Sequence, residues 1–341
     1  MKTAVVSASG KFYGSEQVLF DWLTTCEDVY DVYVPANSEF ETLLKRNTLK
    51  HRILSFRSVY SLYFQIAIRI ITGSLNTIYQ NEGGHIRYCL ALSKLFKTAK
   101  FVIHLRILED IHRVPDNSPQ NVSYVTISNY MSRQMIDQGC KMVHDPFHFN
   151  QNFSPTSLME SDCINVGIIG RISEGKGLQH IVDLCRQIRK TNENIQLHLF
   201  GQRVVTHDTE SMHAELDMYD GKEIILHGFT DKSQIYTSID VVLHLAKKEP
   251  LGRIFFEALN ELKPFVGFQS GGIGELSEIC NNATYFLSVE DRNLSETILT
   301  TIKRIASEYV DACNVQIKSK HIAIKQFDQK SYNQVLSQLI I

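Results

Sequence analysis

Residues 164–185 read INVGIIGRISEGKGLQHIVDLC. The first six form an apolar run with the length of a buried strand. A glycine-flanked turn follows, GRISEGKG over 170–177, and the apolar spacing after it is that of a helix. Strand, glycine turn and helix in that order form the opening unit of an α/β fold. Such a turn leaves backbone N–H groups free at a helix start, where the helix dipole favours an anion. Arg171 and Lys176 add two cations five residues apart. A guanidinium fork and an ammonium point charge together suit a diphosphate. A plain strand–turn–helix with solvated charges has the same spacing, so the pattern alone leaves both readings open.

The same alternation runs outward in both directions. Downstream, apolar runs at 195–200, 223–226, 241–245, 264–268 and 284–287 alternate with helical stretches, with helices expected over 294–309 and 318–341. Upstream, runs at 3–8, 31–35, 52–56, 77–80, 101–105 and 124–128 alternate with helical patterns at 15–26, 39–46, 59–72, 85–96 and 129–138. Continuous apolar strands between helices predict parallel sheets covered on both faces. The polar stretch QNFSPTSLMESD, 151–162, breaks this rhythm and reads as a linker. The expected fold class is therefore α/β: two Rossmann-like doubly wound domains facing a central cleft, the first over 1–150 and the second over 163–321.

The stretch 248–275, KEPLGRIFFEALNELKPFVGFQSGGIGE, carries further chemistry. Glu249 comes just before a helix, at the carboxyl end of the 241–245 strand, and Glu257 lies within that helix. Both carboxylates then fall near one mouth of the sheet, and a carboxylate offers two acceptor oxygens to sugar hydroxyls. Gly252 starts the helix, so the N–H groups there are available to an anion. The bland readings are an ordinary N-terminal acid and a solvated face. Phe255, Phe256, Ala258 and Leu259 around Glu257 argue for partial burial, and a buried acid needs a partner. The glycine pair in QSGGIGE is a weaker anion nest of the same kind.

GRISEGKG, followed by HGFTDKSQIYTSIDVVLHLAKKEPLGRIFFEALNELKPFVGFQSGGIGEL at 227–276, resembles the retaining glycosyltransferases of the GT-B fold, family 4. Their pattern is G-R-x-x-x-x-K-G, then E-P-x-G-x-x-x-x-E-A, G-K-P-V-V and G-G-x-x-E. The resemblance covers the whole second half in order and spacing. In the first half it is looser: GSEQVLFDWL resembles the glycine-rich turn and first helix, and ISNYMSRQMIDQG the segment before the interdomain link. Phe327 resembles the aromatic position before a final helix, about 322–341, that packs back on the first domain.

The resemblance implies roles. Arg171 and Lys176 would neutralise the donor diphosphate after Gly170, and Glu249 would hold donor-sugar hydroxyls. Glu257 would hold the ribose, and backbone N–H groups of Gly252, Arg253 and Ile254 would touch sugar and phosphates. Phe229 would lie by the base. Gly14 and Ser15 would close over the phosphates, and His104 would face the donor sugar, although a lone histidine is more often a structural one. Departures gather in the first half: HDPFHFN at 144–150 replaces Asn-Gly-(Val/Ile)-Asp, His104-Leu105-Arg106 replaces a His-Asp pair, and Gly14-Ser15 replaces a glycine pair.

The implied reaction moves a sugar from a UDP- or GDP-sugar to a glycan or lipid-linked acceptor, with retention and no cofactor or metal, in bacterial surface polysaccharide assembly. No D-x-D pair stands where it would hold a metal–diphosphate, and no carboxylate nucleophile is evident. A front-face attack, with the donor phosphate taking the acceptor's proton, is therefore expected.

The whole-chain properties bound these readings. The 341 residues allow two cores. A net charge of −2 argues against nucleic acid as a partner. Seven widely spaced cysteines without a C-x-x-C pair read as reduced thiols of a cytoplasmic protein. MKTAVVSASG reads as a first strand rather than a secretory signal. Residues 42–81 contain six Lys or Arg and no acid (Lys45, Arg46, Lys50, Arg52, Arg57 and Arg69), together with Phe56, Tyr60, Tyr63, Phe64 and Tyr79. Residues 45–69 are thus a candidate peripheral contact with the anionic inner face of a membrane; the competing reading is aromatic core and solvated charge. The rival functions are a non-catalytic sugar-nucleotide-binding protein, a GT-B nucleotide-sugar epimerase and a dinucleotide dehydrogenase. The last lacks its G-x-G-x-x-G.

Overall fold

The computed structural model describes residues 2–47, 49–135, 139–155, 157–161 and 163–340. The chain divides into two compact units, Met1–His148 with Phe327–Ile341, and Phe149–Gln326.

The first unit holds β1 (Thr3–Val6), β2 (Asp31–Pro35), β3 (Arg52–Phe56), β4 (Thr77–Gln80), β5 (Lys100–Leu105), β6 (Val122–Thr126) and β7 (Cys140–Met142). They form one parallel sheet in the order β3-β2-β1-β4-β5-β6-β7. All four residues of β1 and of β4 are buried, as expected for central strands covered on both faces. Ser38 and Ser58 cap their helices by accepting the N–H of Glu41 and of Ser61. The core gathers around Trp22, Tyr79, Val32 and Val102, and Tyr332, Leu336 and Ile340 of the last helix join it.

The second unit holds β8 (Ile164–Ile169), β9 (Ile195–Phe200), β10 (Ile224–Gly228), β11 (Val241–His244), β12 (Phe265–Phe268) and β13 (Phe286–Leu287). Its parallel order is β10-β9-β8-β11-β12-β13. Ile181, Leu184, Cys185 and Ile188 of helix Leu178–Thr191 pack with Ile298, Ile302 and Ile305 of helix Leu294–Ser307 in its core. The α/β class with two doubly wound sheets is thus the observed one.

Some elements differ from the sequence reading. Strand β7 and the short helix Leu108–Ile111 carry no apolar run and were not expected. The helix expected over 129–138 is Asn129–Ser132 continued by a 3₁₀ turn, Arg133–Met135, and 136–138 lie outside the described residues. The expected 318–341 helix is two helices, Tyr309–Gln326 and Gln329–Ile340. Asp328 starts the second by accepting the Ser331 N–H on its carboxylate at 2.9 Å, while the Phe327 carbonyl accepts the Phe147 N–H at 3.0 Å. Helix Tyr309–Gln326 packs on Arg253–Asn260 and stays in the second unit, so the return to the first begins at Phe327 rather than near 322. The described residues of 151–162 also belong to the second unit. Lys320, wholly buried, donates to Asn150 Oδ1 and the Asn152 carbonyl, both at 2.7 Å, and anchors the start of that stretch. Residues 156 and 162 of it lie outside the described residues.

Candidate functional site

Each sheet reverses its strand order once, between β1 and β4 in the first unit and between β8 and β11 in the second. A crevice opens beyond the carboxyl ends of the strands at such a point. Gly170 continues from β8, and the turn it opens ends at Gly177, which caps helix Leu178–Thr191. Gly177 has φ +86°, and a Cβ there would stand 2.4 Å from the Leu245 carbonyl oxygen. Glycine is what lets this turn lie against the end of β11. As a result Lys176 Nζ reaches Glu249 Oε2 at 2.5 Å. Arg171 is exposed and has no ion-pair partner among the described residues.

Glu249 also has His244, the last residue of β11, beside it, with Nε2 3.4 Å from Oε2. Burial alone would raise this carboxyl. The histidine contact and the Lys176 charge outweigh burial and hold it at about 2. Both contacts fall on Oε2; among the described residues Oε1 accepts no hydrogen bond. The side chain keeps 15% of its surface exposed, so the carboxylate is ionised, fixed and still open on one side.

Gly252 (φ +97°) precedes helix Arg253–Asn260, and a Cβ there would overlap Ile273 Cγ1 at 2.0 Å. The left-handed turn sets Arg253 and Ile254 in the first helical turn, where N–H groups lack intrahelical acceptors. The Glu249 carbonyl accepts the Gly272 N–H at 2.7 Å, which ties the Glu249 loop to the QSGGIGE turn. Glu257, on the same helix, turns to another partner set: Lys232 Nζ at 2.5 Å and the Tyr236 hydroxyl, which donates at 3.1 Å. Phe229 follows β10 and is 93% exposed. Lys176, Glu249 and Gly252 are thus brought together; Glu257 sits on the same helix with its own partners, and Arg171 and Phe229 follow the ends of β8 and β10.

In the first unit the corresponding reversal is closed by the protein itself. Glu82 follows β4, and its Oε1 accepts the N–H groups of Ala8 and Ser9 at the end of β1, at 2.5 and 2.8 Å. Asn81 Nδ2 donates to its Oε2 at 2.9 Å. Burial and then the nearby Glu16 charge push the Glu82 carboxyl up to about 7, against the pull of those donors. Gly14 and Ser15 open helix Gly14–Thr25; the Ser15 hydroxyl donates to Glu16 Oε2 at 3.0 Å and its carbonyl accepts from Asn81 Nδ2 at 3.3 Å.

His104, expected to face a donor sugar, has no exposed surface. Its Nδ1 lies 2.8 Å from the Tyr79 hydroxyl. Burial, then the Arg106 charge, holds it well below the usual histidine range, so it is neutral. The sequence departures around it are coupled: Arg106 Nη1 pairs with Asp145 Oδ1 at 2.5 Å, each side chain 5% exposed, and Arg106 also donates to the Asn81 carbonyl, to Asn81 Oδ1 and to the Tyr332 hydroxyl. The arginine of one departure neutralises the aspartate of the other, and the last helix is tied in through Tyr332.

His244, Glu82 and the Arg106–Asp145 pair were not singled out from the sequence. His244 and Glu82 carry one usable signal: each lies at the carboxyl end of a strand bordering an order reversal.

The basic stretch 45–69 is also changed by the fold. Glu41 pairs with Lys45 at 2.5 Å, and Asp31 pairs with Arg69, so acids from outside the stretch neutralise two of its cations. Phe56, Tyr63 and Tyr79 are core. Tyr60 and Phe64 are exposed, in line with Ile68 and Ile71 on helix Val59–Ile71. Among the described residues no helix is long and apolar enough to cross a membrane, and no group of three or more His, Cys, Asp or Glu could hold a metal ion. All seven cysteines are free thiols.

Residues 152–308, all in the second unit, match the family model described as glycosyl transferases group 1. A Klebsiella pneumoniae protein described as an uncharacterized 42.6 kDa protein in cps region is 24% identical over 172 residues. That stretch is 49% of this chain, and the chain spans only 44% of that relative's length. The Anabaena protein Alr3699/HepE, solved in complex with UDP, superposes with a TM-score of 0.75 at 20% identity over 99% of both chains. The lipopolysaccharide outer core galactosyltransferase WaaB superposes with a TM-score of 0.70 at 15% identity, over 100% of this chain and 99% of its own. Most of the second unit therefore matches the glycosyl transferases group 1 model, and the chain as a whole has the fold of these solved structures.

Proposed function

We propose that the protein moves a hexosyl group from a nucleotide sugar to a glycan or lipid-linked acceptor, with retention of anomeric configuration and without a metal, during assembly of a bacterial surface polysaccharide such as O-antigen or capsule. The observation that carries this reading is the second unit's order reversal: an unpaired Arg171, the movable cation Lys176, and an ionised Glu249 whose Oε1 is open. The Anabaena protein was also solved with UDP-glucose, which favours a UDP-sugar over a GDP-sugar as donor. The cps-region relative and the lipopolysaccharide enzyme favour surface polysaccharide as the destination.

In this reading the diphosphate draws Lys176 away from Glu249 and meets Arg171. The two cations neutralise the charge that grows on the leaving phosphate. Glu249 accepts hydroxyls of the donor sugar, and N–H groups of Gly252, Arg253 and Ile254 hold sugar and phosphate. Glu257 takes the ribose and Phe229 the base. His104, neutral and buried, steadies the Tyr79 hydroxyl and moves no proton. The anomeric carbon–phosphate bond breaks as the acceptor oxygen bonds to the same face, and the acceptor's proton passes to a phosphate oxygen. Trapping a covalent sugar–enzyme adduct would count against that step.

A hydrolysis and thermal-shift screen with UDP-, GDP- and ADP-sugars on wild type and Glu249→Ala tests the reading. Stabilisation and slow nucleotide release by one donor, lost in the variant, is expected. Stabilisation without turnover in any acceptor mixture would instead favour a non-catalytic binding protein. The peripheral membrane contact narrows to Arg57, Tyr60, Phe64, Ile68 and Ile71, which are exposed. Sedimentation with anionic vesicles at low salt is expected to carry the protein down and 0.5 M salt to release part of it; no binding at low salt removes the contact.

A further inference from the structure

His244 has no role in the family pattern quoted above, yet its position is constrained. It ends β11, at the order reversal, and pairs across to Gly267 of β12. A Cβ on Gly267 would stand 2.7 Å from Cε1 of Phe265, so the bare glycine leaves the space that the Phe265 ring covers. The His244 ring lies 27° off parallel to that ring, with centroids 6.4 Å apart. The imidazole is 7% exposed, and its Nε2 points to Glu249 Oε2 at 3.4 Å, longer than a formed hydrogen bond. Among the described residues Nε2 has no other polar partner.

The same oxygen is already held by Lys176 at 2.5 Å. A lysine and a histidine on one carboxylate oxygen do not act equally: Lys176 comes from the phosphate turn and is 30% exposed, whereas His244 is locked in the strand. We propose that His244 is a positioning residue that takes over Glu249 Oε2 when the donor diphosphate captures Lys176. The imidazole then donates from Nε2, keeping the carboxylate ionised and its Oε1 turned to the sugar. This rests on the proposed function and deepens it, since it assigns the sugar-contacting acid a partner of its own. Nucleotide without sugar should not depend on it.

The test uses full-length wild type, His244→Leu, His244→Asn and His244→Gln. Glutamine sets an amide nitrogen near the position of Nε2; asparagine is too short to reach. UDP affinity is measured by calorimetry, and donor hydrolysis with UDP-glucose or, where the wild type turns over another nucleotide sugar faster, that donor. The expected result is unchanged UDP affinity in all four proteins. Donor hydrolysis should fall on the order of 10-fold to 100-fold in kcat/KM for Leu and Asn, from a misplaced contact group, with most of it restored in Gln. UDP affinity falling in step with turnover would reduce His244 to a structural role, as would equal turnover in Asn and Gln. Wild-type turnover in His244→Leu would overturn the proposal. If the leucine variant fails to fold, the Asn–Gln pair still decides between reach and packing. Absence of turnover by the wild type with every donor would instead sink the proposed function, and this inference with it.

Discussion

At the point where its strand order reverses, each sheet sets a carboxylate beside the turn that leaves its first strand, and the two carboxylates are held in opposite ways. In the second unit Glu249 is gripped by a cation and a histidine and stays ionised down to about pH 2. In the first, Glu82 is gripped by backbone N–H groups near a second acid, and its carboxyl rises to about 7. One topological position thus serves two ends. Glu82 is an internal acceptor that occupies the backbone N–H groups at the end of β1. Glu249 balances a partly exposed cation, Lys176. The difference is why the proposed diphosphate site is assigned to the second unit rather than the first.

The largest expected effect lies in the first unit. Arg106→Ala leaves Asp145 buried without its partner and should cost about 3–5 kcal/mol in urea unfolding. Arg106→Met with Asp145→Leu should cost clearly less, because no charge is stranded. Equal losses would show that the pair contributes by packing alone. Lys176→Ala is the counterpart in the second unit. It should lower donor hydrolysis on the order of 10²-fold to 10³-fold, the scale of one lost donor to a developing oxyanion. Its folding stability should move much less, since the lysine is partly exposed. A variant that hydrolyses donor normally would remove Lys176 from the site.

The two acids predict opposite pH dependence. Glu249 has a lowered value, so its stabilisation is fully present above the ordinary carboxyl value and is lost as pH falls toward 2. Glu82 has a raised value, so its protonated form favours the fold below the ordinary value, and that advantage is lost as pH rises through about 7. Glu82→Gln should therefore gain thermal stability on wild type between pH 5 and 8, on the order of 2 kcal/mol. The deficit of Glu249→Gln should shrink as pH falls from 5 to 3. Parallel stability curves for wild type and Glu82→Gln would show that Glu82 is ionised throughout.

The smallest effect is at Phe229. Exposed as it is, Phe229→Ala should leave stability within about 0.5 kcal/mol. Nucleotide affinity should fall by about 1 kcal/mol or somewhat more, the range of one base–aromatic stack. Unchanged UDP affinity would place the base elsewhere.

The second unit was far more legible in the sequence than the first. GRISEGKG and KEPLGRIFFEALNE are local: the strand, the glycine and the charged residue that compose each feature are neighbours in the chain. The strands of both sheets were legible for the same reason, as apolar runs between helices. What escaped is long-range. Arg106 meets Asp145 across 39 positions and Tyr332 across 226, and no local pattern shows that two departures from a family cancel each other. The basic stretch 45–69 looked free of acids because Asp31 joins it only through the pairing of β2 with β3 and the packing of the following helix. The break at Phe327–Asp328 was hidden because helical spacing continues on both sides, and only the Asp328–Ser331 cap marks it.

The most direct measurement is hydrogen exchange of the full chain with and without UDP, read at peptide resolution. Assignment of the nucleotide to the second unit's order reversal predicts slower exchange over 170–178 and 249–257. It predicts none at Ala8 and Ser9, whose N–H groups Glu82 already holds. Protection confined to the first unit, with 170–178 unchanged at saturating UDP, would contradict it.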